Sequence, residues 1–198
     1  MKNKVLMGLA AIGIVAFLSG CGKYPQAEVD AANAAIAAAK TSEANVYVPD
    51  EFSQLQDSMN VALADAETQN SKMVKKFGPA KEKLAKILTL ANNVSSDAGV
   101  KKEEIKKEAD TLISSTKEII AENGKLIPKL PRGKEGAQVI AQMKSDLAAL
   151  DTSVADAQGL FDKEAYMDAY TKVKAANEKA AGINSEIKEV LTKARIKF

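Results

Sequence analysis

The side chains that most often carry out chemistry are scarce in this chain of 198 residues. It has no histidine and a single cysteine, Cys21. Without imidazole there is no side chain that titrates near neutrality as a general base, no Ser-His-Asp arrangement and no histidine metal ligand. One thiol cannot close a disulfide within the chain or build a cysteine zinc site. No glycine-rich phosphate loop follows a strand pattern. Carboxylates remain. Asp146, Asp151 and Asp156 recur at a spacing of five, which winds them around a helix instead of aligning them. Asp162, Glu164 and Asp168 gather near a turn but lack the alternating oxygens, central glycine and closing glutamate of a calcium loop. Asp162 reads better as the N-cap of the helix that follows, with solvated acids nearby. No catalytic residue, metal or cofactor is expected, and the chain reads as a protein that is not an enzyme.

Two other groups could recognise a partner. Lys125, Lys129, Arg132 and Lys134 face a single acid, Glu135, in a stretch that also holds Leu126, Ile127 and Leu130. Such a loop suits anionic lipid headgroups, cell-wall polymer or a protein. More simply, it suits a solvated connection whose apolar residues close the end of a helical bundle. Tyr166 and Tyr170 stand one helical turn apart near Phe161; they would stack a ligand or, more simply, plug the end of a hairpin. The run from Lys101 to Glu108 offers acid–base pairs three or four apart, worth about 0.2–0.5 kcal/mol each on an exposed helix, and reads as a solvated face.

The N-terminus carries the most specific pattern. Lys2 and Lys4 precede Val5 to Phe17, thirteen uncharged apolar or small residues. That is too short for an ordinary transmembrane helix and suits a signal-peptide core. Leu18-Ser19-Gly20-Cys21 follows and resembles the lipobox of bacterial lipoproteins. The resemblance implies cleavage between Gly20 and Cys21, a diacylglycerol on the Cys21 thiol, and membrane lipid as the first partner. Each buried acyl methylene adds about 0.8 kcal/mol, so two or more chains hold stably. Gly22 stands where an aspartate would favour inner-membrane retention in enterobacteria-like sorting. The expected site is therefore the cell envelope, at the outer membrane facing the periplasm. Without Lys2 and Lys4 the 28 basic residues become 26, equal to the 26 acids. That balance gives no basic excess for nucleic acid.

Elsewhere the composition is helical, and apolar residues recur at three-four spacing. The pattern predicts an all-α fold: an elongated antiparallel bundle of long coiled-coil-like helices over residues 26–43, 50–75, 79–123, 135–159 and 162–195, forming one domain from 21 to 198. In the second helix Phe52, Leu55, Met59, Ala62, Ala66 and Met73 make the seam. In the third, Leu84, Ile87, Ala91, Val94 and Ala98 lead on to Ile105, Ala109, Leu112, Thr116 and Ile119. Gly99 lies in the middle, but no capping side chain follows it and Lys101-Lys102 would oppose a helix N-terminus. A continuous helix with a local phase adjustment is expected, stopping at Asn123-Gly124.

Two stretches look alike. Ala64-Asp65-Ala66 precedes Phe77, with Ala80 and Leu84 at three and seven; Ala155-Asp156-Ala157 precedes Tyr166, with Ala169 and Val173 at the same offsets. This suggests two related hairpins. Residues 24–75, with an alanine-rich helix, Tyr47-Val48-Pro49 and a helix opening Asp50-Glu51-Phe52, resemble an uncharacterised family of alanine-rich helical-hairpin envelope lipoproteins, which carries alanine where Val48 stands. The resemblance implies an envelope protein. The expected role is structural or protein-interacting, with an envelope protein or a second copy as partner. The alternative is a carrier or sensor that holds a small apolar ligand between helices.

Overall fold

A computed structural model describes residues 22–198; Gly20, Cys21 and the residues before them, where the expected signal and lipidation site fall, lie outside the described residues. The described chain is all-α. Helices α1 (Gln26–Thr41), α2 (Ala44–Tyr47), α3 (Pro49–Asn70), α4 (Gly78–Leu126), α5 (Lys134–Asp162) and α6 (Tyr166–Lys193) follow in order, with a 3-10 turn at Ile127–Lys129.

Cross-helix contacts give the direction of each element. Glu28 pairs with Lys81 at 2.8 Å, and the Ser42 and Ser95 hydroxyls meet at 2.7 Å, so α1 runs parallel to α4. Asp65 pairs with Lys83, so α3 returns antiparallel. Lys117 Nζ donates to Gln158 Oε1 at 3.1 Å, so α5 also descends. Asn177 donates to Thr116 at 2.9 Å and Asn184 to Asn123 at 2.7 Å, so α6 ascends beside α4. The result is two up-down-up bundles in series, threaded by one helix. The first core joins α1, α3 and residues 84–98 of α4; the second joins α4 from Ile113 onward to α5 and α6. The 49 residues of α4 span about 73 Å at 1.5 Å per residue.

The two halves repeat a register. Phe77, Ala80, Leu84, Ile87, Ala91 and Ala98 are buried, as are Tyr166, Ala169, Val173, Ala176, Ala180 and Ile187, each 89 positions further on. Lys83 pairs with Asp65, and Lys172, its counterpart 89 residues on, pairs with Asp156 at 2.8 Å. The likeness of the two hairpins is thus also one of geometry.

Helix α4 is unbroken at Gly99. Its phase shifts as expected, but by a different step. Ile113 and Ile120 enter the core, while Leu112 and Ile119 only flank it. The cause is a change of partner. Up to Ala98 the seam faces α1 and α3; from Ile113 it faces α5 and α6. A straight helix also drifts by about 20° per heptad against a 3.5-residue repeat. Between Ile105, Ala109 and Ile113 two successive steps of four replace the alternation of four and three. A Cβ at Gly99 would meet nothing within 4 Å. Gly99→Ala is expected to raise the unfolding free energy by about 1 kcal/mol, read as a higher urea midpoint at unchanged slope.

Several boundaries differ from the sequence reading. The first helix stops at Thr41, not 43, because Glu43 turns left-handed (φ 59°) before α2. Pro49 opens α3 at its first turn, where its missing N–H costs nothing. α3 ends at Asn70, not 75, so Met73 leaves the seam and is fully exposed. α4 runs through Asn123-Gly124 to Leu126 because Asn123 is held in the core. Asp162 is the last residue of α5, not the cap of α6; that cap is Ala165. Glu164 takes the left-handed position (φ 62°). The Ala165 N–H bonds to Leu160 O at 3.0 Å and the Glu164 N–H to Phe161 O at 2.9 Å. These are the paired bonds of a Schellman stop, formed here without glycine.

Candidate interaction surfaces

Where the two bundles meet, aromatics from the neighbouring turns gather against Ile105, Lys102 and Lys106 of α4. Tyr47, Ile105 and Tyr166 are buried together, with Phe161, Met167 and Tyr170 packed around them. The elbow between α1 and α3 supplies Tyr47, and the turn between α5 and α6 supplies Phe161 and Tyr166. Phe161 meets Tyr166 edge-on at 5.1 Å. Lys102 Nζ stands 5.9 Å from the Tyr47 ring centroid and 5.8 Å from that of Tyr166; Lys106 stands 5.2 Å from Tyr166. Lys102 also pairs with Glu43. Each cation–ring contact adds about 0.5–1 kcal/mol at exposed sites. The tyrosines therefore plug a joint. Within the run from Lys101 to Glu108, Lys101 pairs with Glu104 at 3.0 Å. Lys102 and Lys106 do not belong to a purely solvated face, because both are half-buried at this joint.

The electrostatics of the joint are alkaline-sensitive. Burial, then the Glu43 charge, raises the Tyr47 phenol above its ordinary 10.0, against the pull of Lys102 and the Met167 backbone. The Glu43 hydrogen bond raises Lys102 above 10.5 despite its partial desolvation. For both groups the folded pKa exceeds the unfolded one. The stability they lend is full below the unfolded value and is lost as pH rises through the folded value. The thermal midpoint is expected to fall as pH climbs past 10.0, and Tyr47→Phe is expected to fall less. Circular-dichroism melts at stepped pH check this; an identical decline in the two proteins would contradict it.

The second polar feature lies inside the α4–α6 seam. Thr116 and Asn123 are fully buried. Asn177 Nδ2 donates to Thr116 Oγ1 at 2.9 Å and to Ser115 Oγ at 3.3 Å. One heptad on, Asn123 Nδ2 donates to Ala180 O at 2.9 Å and its Oδ1 accepts from Asn184 Nδ2 at 2.7 Å. Asn184 Nδ2 also reaches Glu122 Oε2 at 2.9 Å, and Lys188 pairs with Glu122 Oε1 at 2.9 Å. The Lys188 hydrogen bond and then that of Asn184 hold the Glu122 carboxyl below its ordinary range against desolvation. Every side-chain amide in the ladder finds a partner.

At the far end of α4 the basic loop closes the second core. Leu126, Ile127 and Leu130 are buried, while Lys125, Lys129 and Arg132 point outward. Lys134 begins α5. The apolar residues thus cap the bundle, and three described cations crown its tip. The carboxylates do not converge. Asp156 pairs with Lys172, Asp162 accepts from Gln158 and Asp146 from Gln142. Among the described residues no three histidine, cysteine, aspartate or glutamate side chains sit close enough to hold a metal. An open groove of about 740 Å³ runs between α5 and α6. Leu150, Ala176 and Ile183 form its floor, and Asp146, Asp168 and Lys179 its rim.

Sequence reasoning missed Tyr47, Lys102 and Lys106 as one cluster, since nothing local joins Tyr47 to a lysine 55 residues away. It also missed the exposed turn between α3 and α4. Its signal was Lys72-Met73-Val74-Lys75-Lys76, apolar residues enclosed by lysines. No family model, no curated protein and no solved structure matches the chain. Among the described residues no helix is long and apolar enough to cross a membrane.

Proposed function

We propose that this chain is a bacterial envelope lipoprotein, acylated on Cys21, that serves as a non-catalytic rod presenting interaction surfaces away from its membrane. The observation that carries the reading is Leu18-Ser19-Gly20-Cys21 directly after a thirteen-residue apolar core. The directions of the helices support it. The chain enters at the end where the Tyr24 ring meets Phe77 at 5.8 Å, and Lys125, Lys129 and Arg132 lie at the other end of α4, about 73 Å away. The resemblance of residues 24–75 to alanine-rich envelope lipoproteins points the same way. Gly22, standing where an aspartate would favour inner-membrane retention, supports outer-membrane attachment facing the periplasm. The partners are membrane lipid through Cys21 and an envelope protein or a second copy.

In-cell crosslinking with mass spectrometry tests this, beside a Cys21→Ser control that cannot be acylated. The expected products are crosslinks from Lys125 and Lys129 to an envelope component, lost in the control. Recovery of neither an envelope partner nor self-association overturns the interaction role. A bare thiol with an uncut leader overturns the anchor. The carrier alternative would use the α5–α6 groove, whose floor is apolar. It requires saturable uptake of an apolar dye that is blocked by Ala176→Phe.

A further inference from the structure

Like the tip loop, the turn between α3 and α4 mixes apolar residues with cations, but here the apolar residues face solvent. Met73 is 103% exposed and Val74 71% exposed, the two most exposed large apolar side chains described. Neither has a core to enter, because α3 stops at Asn70 and the chain does not become helical again until Gly78. Lys72, Lys75 and Lys76 flank them and are all exposed. Lys75 donates to Asn70 Oδ1 at 2.8 Å, and none of the three pairs with a described carboxylate. No acid occurs between Glu67 and Glu82, so the turn itself is locally cationic although the chain beyond residue 20 is balanced.

The position of the turn matters as much as its composition. Phe77 is buried and holds the exit of the turn against Tyr24, ring centroids 5.8 Å apart. Tyr24 is three residues after Cys21, and three residues reach at most about 11 Å. An acyl chain on Cys21 would bring the membrane surface to this end and to no other. A solvent-facing pair of apolar side chains, ringed by lysines and beside a half-buried tyrosine, has the make-up of a segment seated at the headgroup boundary of an anionic bilayer.

We infer that Met73 and Val74 insert into the headgroup boundary of the anchoring membrane while Lys72, Lys75 and Lys76 bind its anionic lipids. The inference rests on the anchored reading and deepens it. The acyl group is one point of attachment and leaves the rod free to tilt; the turn adds a second, fixing which end and which side of the first bundle faces the bilayer. The tip loop is then held away from the surface.

The test uses the full chain, processed in cells and purified with its lipid, with Ser71→Cys carrying a nitroxide. Vesicles are phosphatidylcholine alone or mixed with phosphatidylglycerol. Collision of the nitroxide with a water-soluble nickel chelate is expected to drop several-fold on the anionic vesicles at low salt. Lys72→Glu with Lys75→Glu and Lys76→Glu should restore most of it, and Met73→Asp with Val74→Asp should restore all of it. These residues lie on an exposed turn, and unchanged helical circular dichroism verifies folding. An acylated Cys21 with a nitroxide as accessible as in the Met73→Asp, Val74→Asp protein overturns the inference and leaves the anchor standing. A nitroxide that is aqueous on both vesicles but immobilised in native envelope fragments means a protein covers the turn, and overturns it too. A bare Cys21 by mass overturns the anchor and the inference with it.

Discussion

Ile113→Ala is expected to lower the unfolding free energy by about 2–5 kcal/mol, and Leu112→Ala by only about 1 kcal/mol. The residues are neighbours in sequence and similar in size, so the contrast isolates the phase of α4. Ile113 is 2% exposed inside the second core. Its truncation removes buried methyl groups and leaves a cavity that α5 and α6 cannot close without shifting. Leu112 flanks that core and lines an open groove with Tyr170 and Lys174, so its loss leaves space that water already borders. Ile120→Ala and Ile119→Ala should repeat the contrast one heptad on. Urea unfolding of the four variants decides the matter. A larger loss at Leu112 and Ile119 than at Ile113 and Ile120 would mean that α4 keeps its first seam throughout and that the change of partner is misplaced.

How far the sequence foretold this arrangement depends on what set each feature. The seams of α4 up to Ala98 and of α6 up to Ile187 were legible, because a heptad repeat is a local property that packing only has to accept. Past Ile187 the repeat points to Val190 and Ala194, but Leu191 enters the core and Val190 stays 41% exposed. The stops were not. Glu43, Glu164 and Arg195 all take left-handed conformations usually marked by glycine, so the sequence carries no punctuation there. Conversely, Asn123-Gly124 carries the punctuation but not the stop. The buried bonds from Asn123 to Ala180 and Asn184 outweigh a local preference worth about 1 kcal/mol. Met73 continues a three-four-seven pattern past the point where α3 has ended, and periodicity alone does not show that no partner helix remains opposite it. Of the surfaces, the tip loop was readable down to which residues turn inward, since Leu126, Ile127 and Leu130 alternate with cations in one short segment. The joint was not, because Tyr47, Lys102 and Tyr166 come from three distant segments. The lipobox-like run Leu18-Ser19-Gly20-Cys21 precedes the described residues, so it is read from the sequence alone.

Asn123→Asp is expected to cost about 3–5 kcal/mol at neutral pH, as breaking a satisfied buried polar arrangement does. The new carboxylate would face the Ala180 carbonyl, to which Asn123 now donates, and would sit next to Glu122. Burial, a facing carbonyl and a like charge all raise its folded pKa above the unfolded carboxylate value of about 3.9. The variant is therefore least destabilised below that pH and loses stability as pH rises through the folded value. Asn123→Leu should behave differently. It removes the amide and its two bonds, but Asn184 is only half-buried and keeps Glu122 as a partner, so the net change is expected to stay within about 1 kcal/mol. What it should lose is alignment. Thr116 and Asn123 on α4, and Asn177 and Asn184 on α6, repeat at seven. A parallel pair with that repeat can slide by one heptad and bury an equivalent apolar stripe, unless a buried amide must meet one particular carbonyl. Spin–spin distances between labels on α4 and α6 should then split into two populations in Asn123→Leu while remaining single in the parent. A single distance at unchanged stability would show that the apolar seam sets the register without the asparagines.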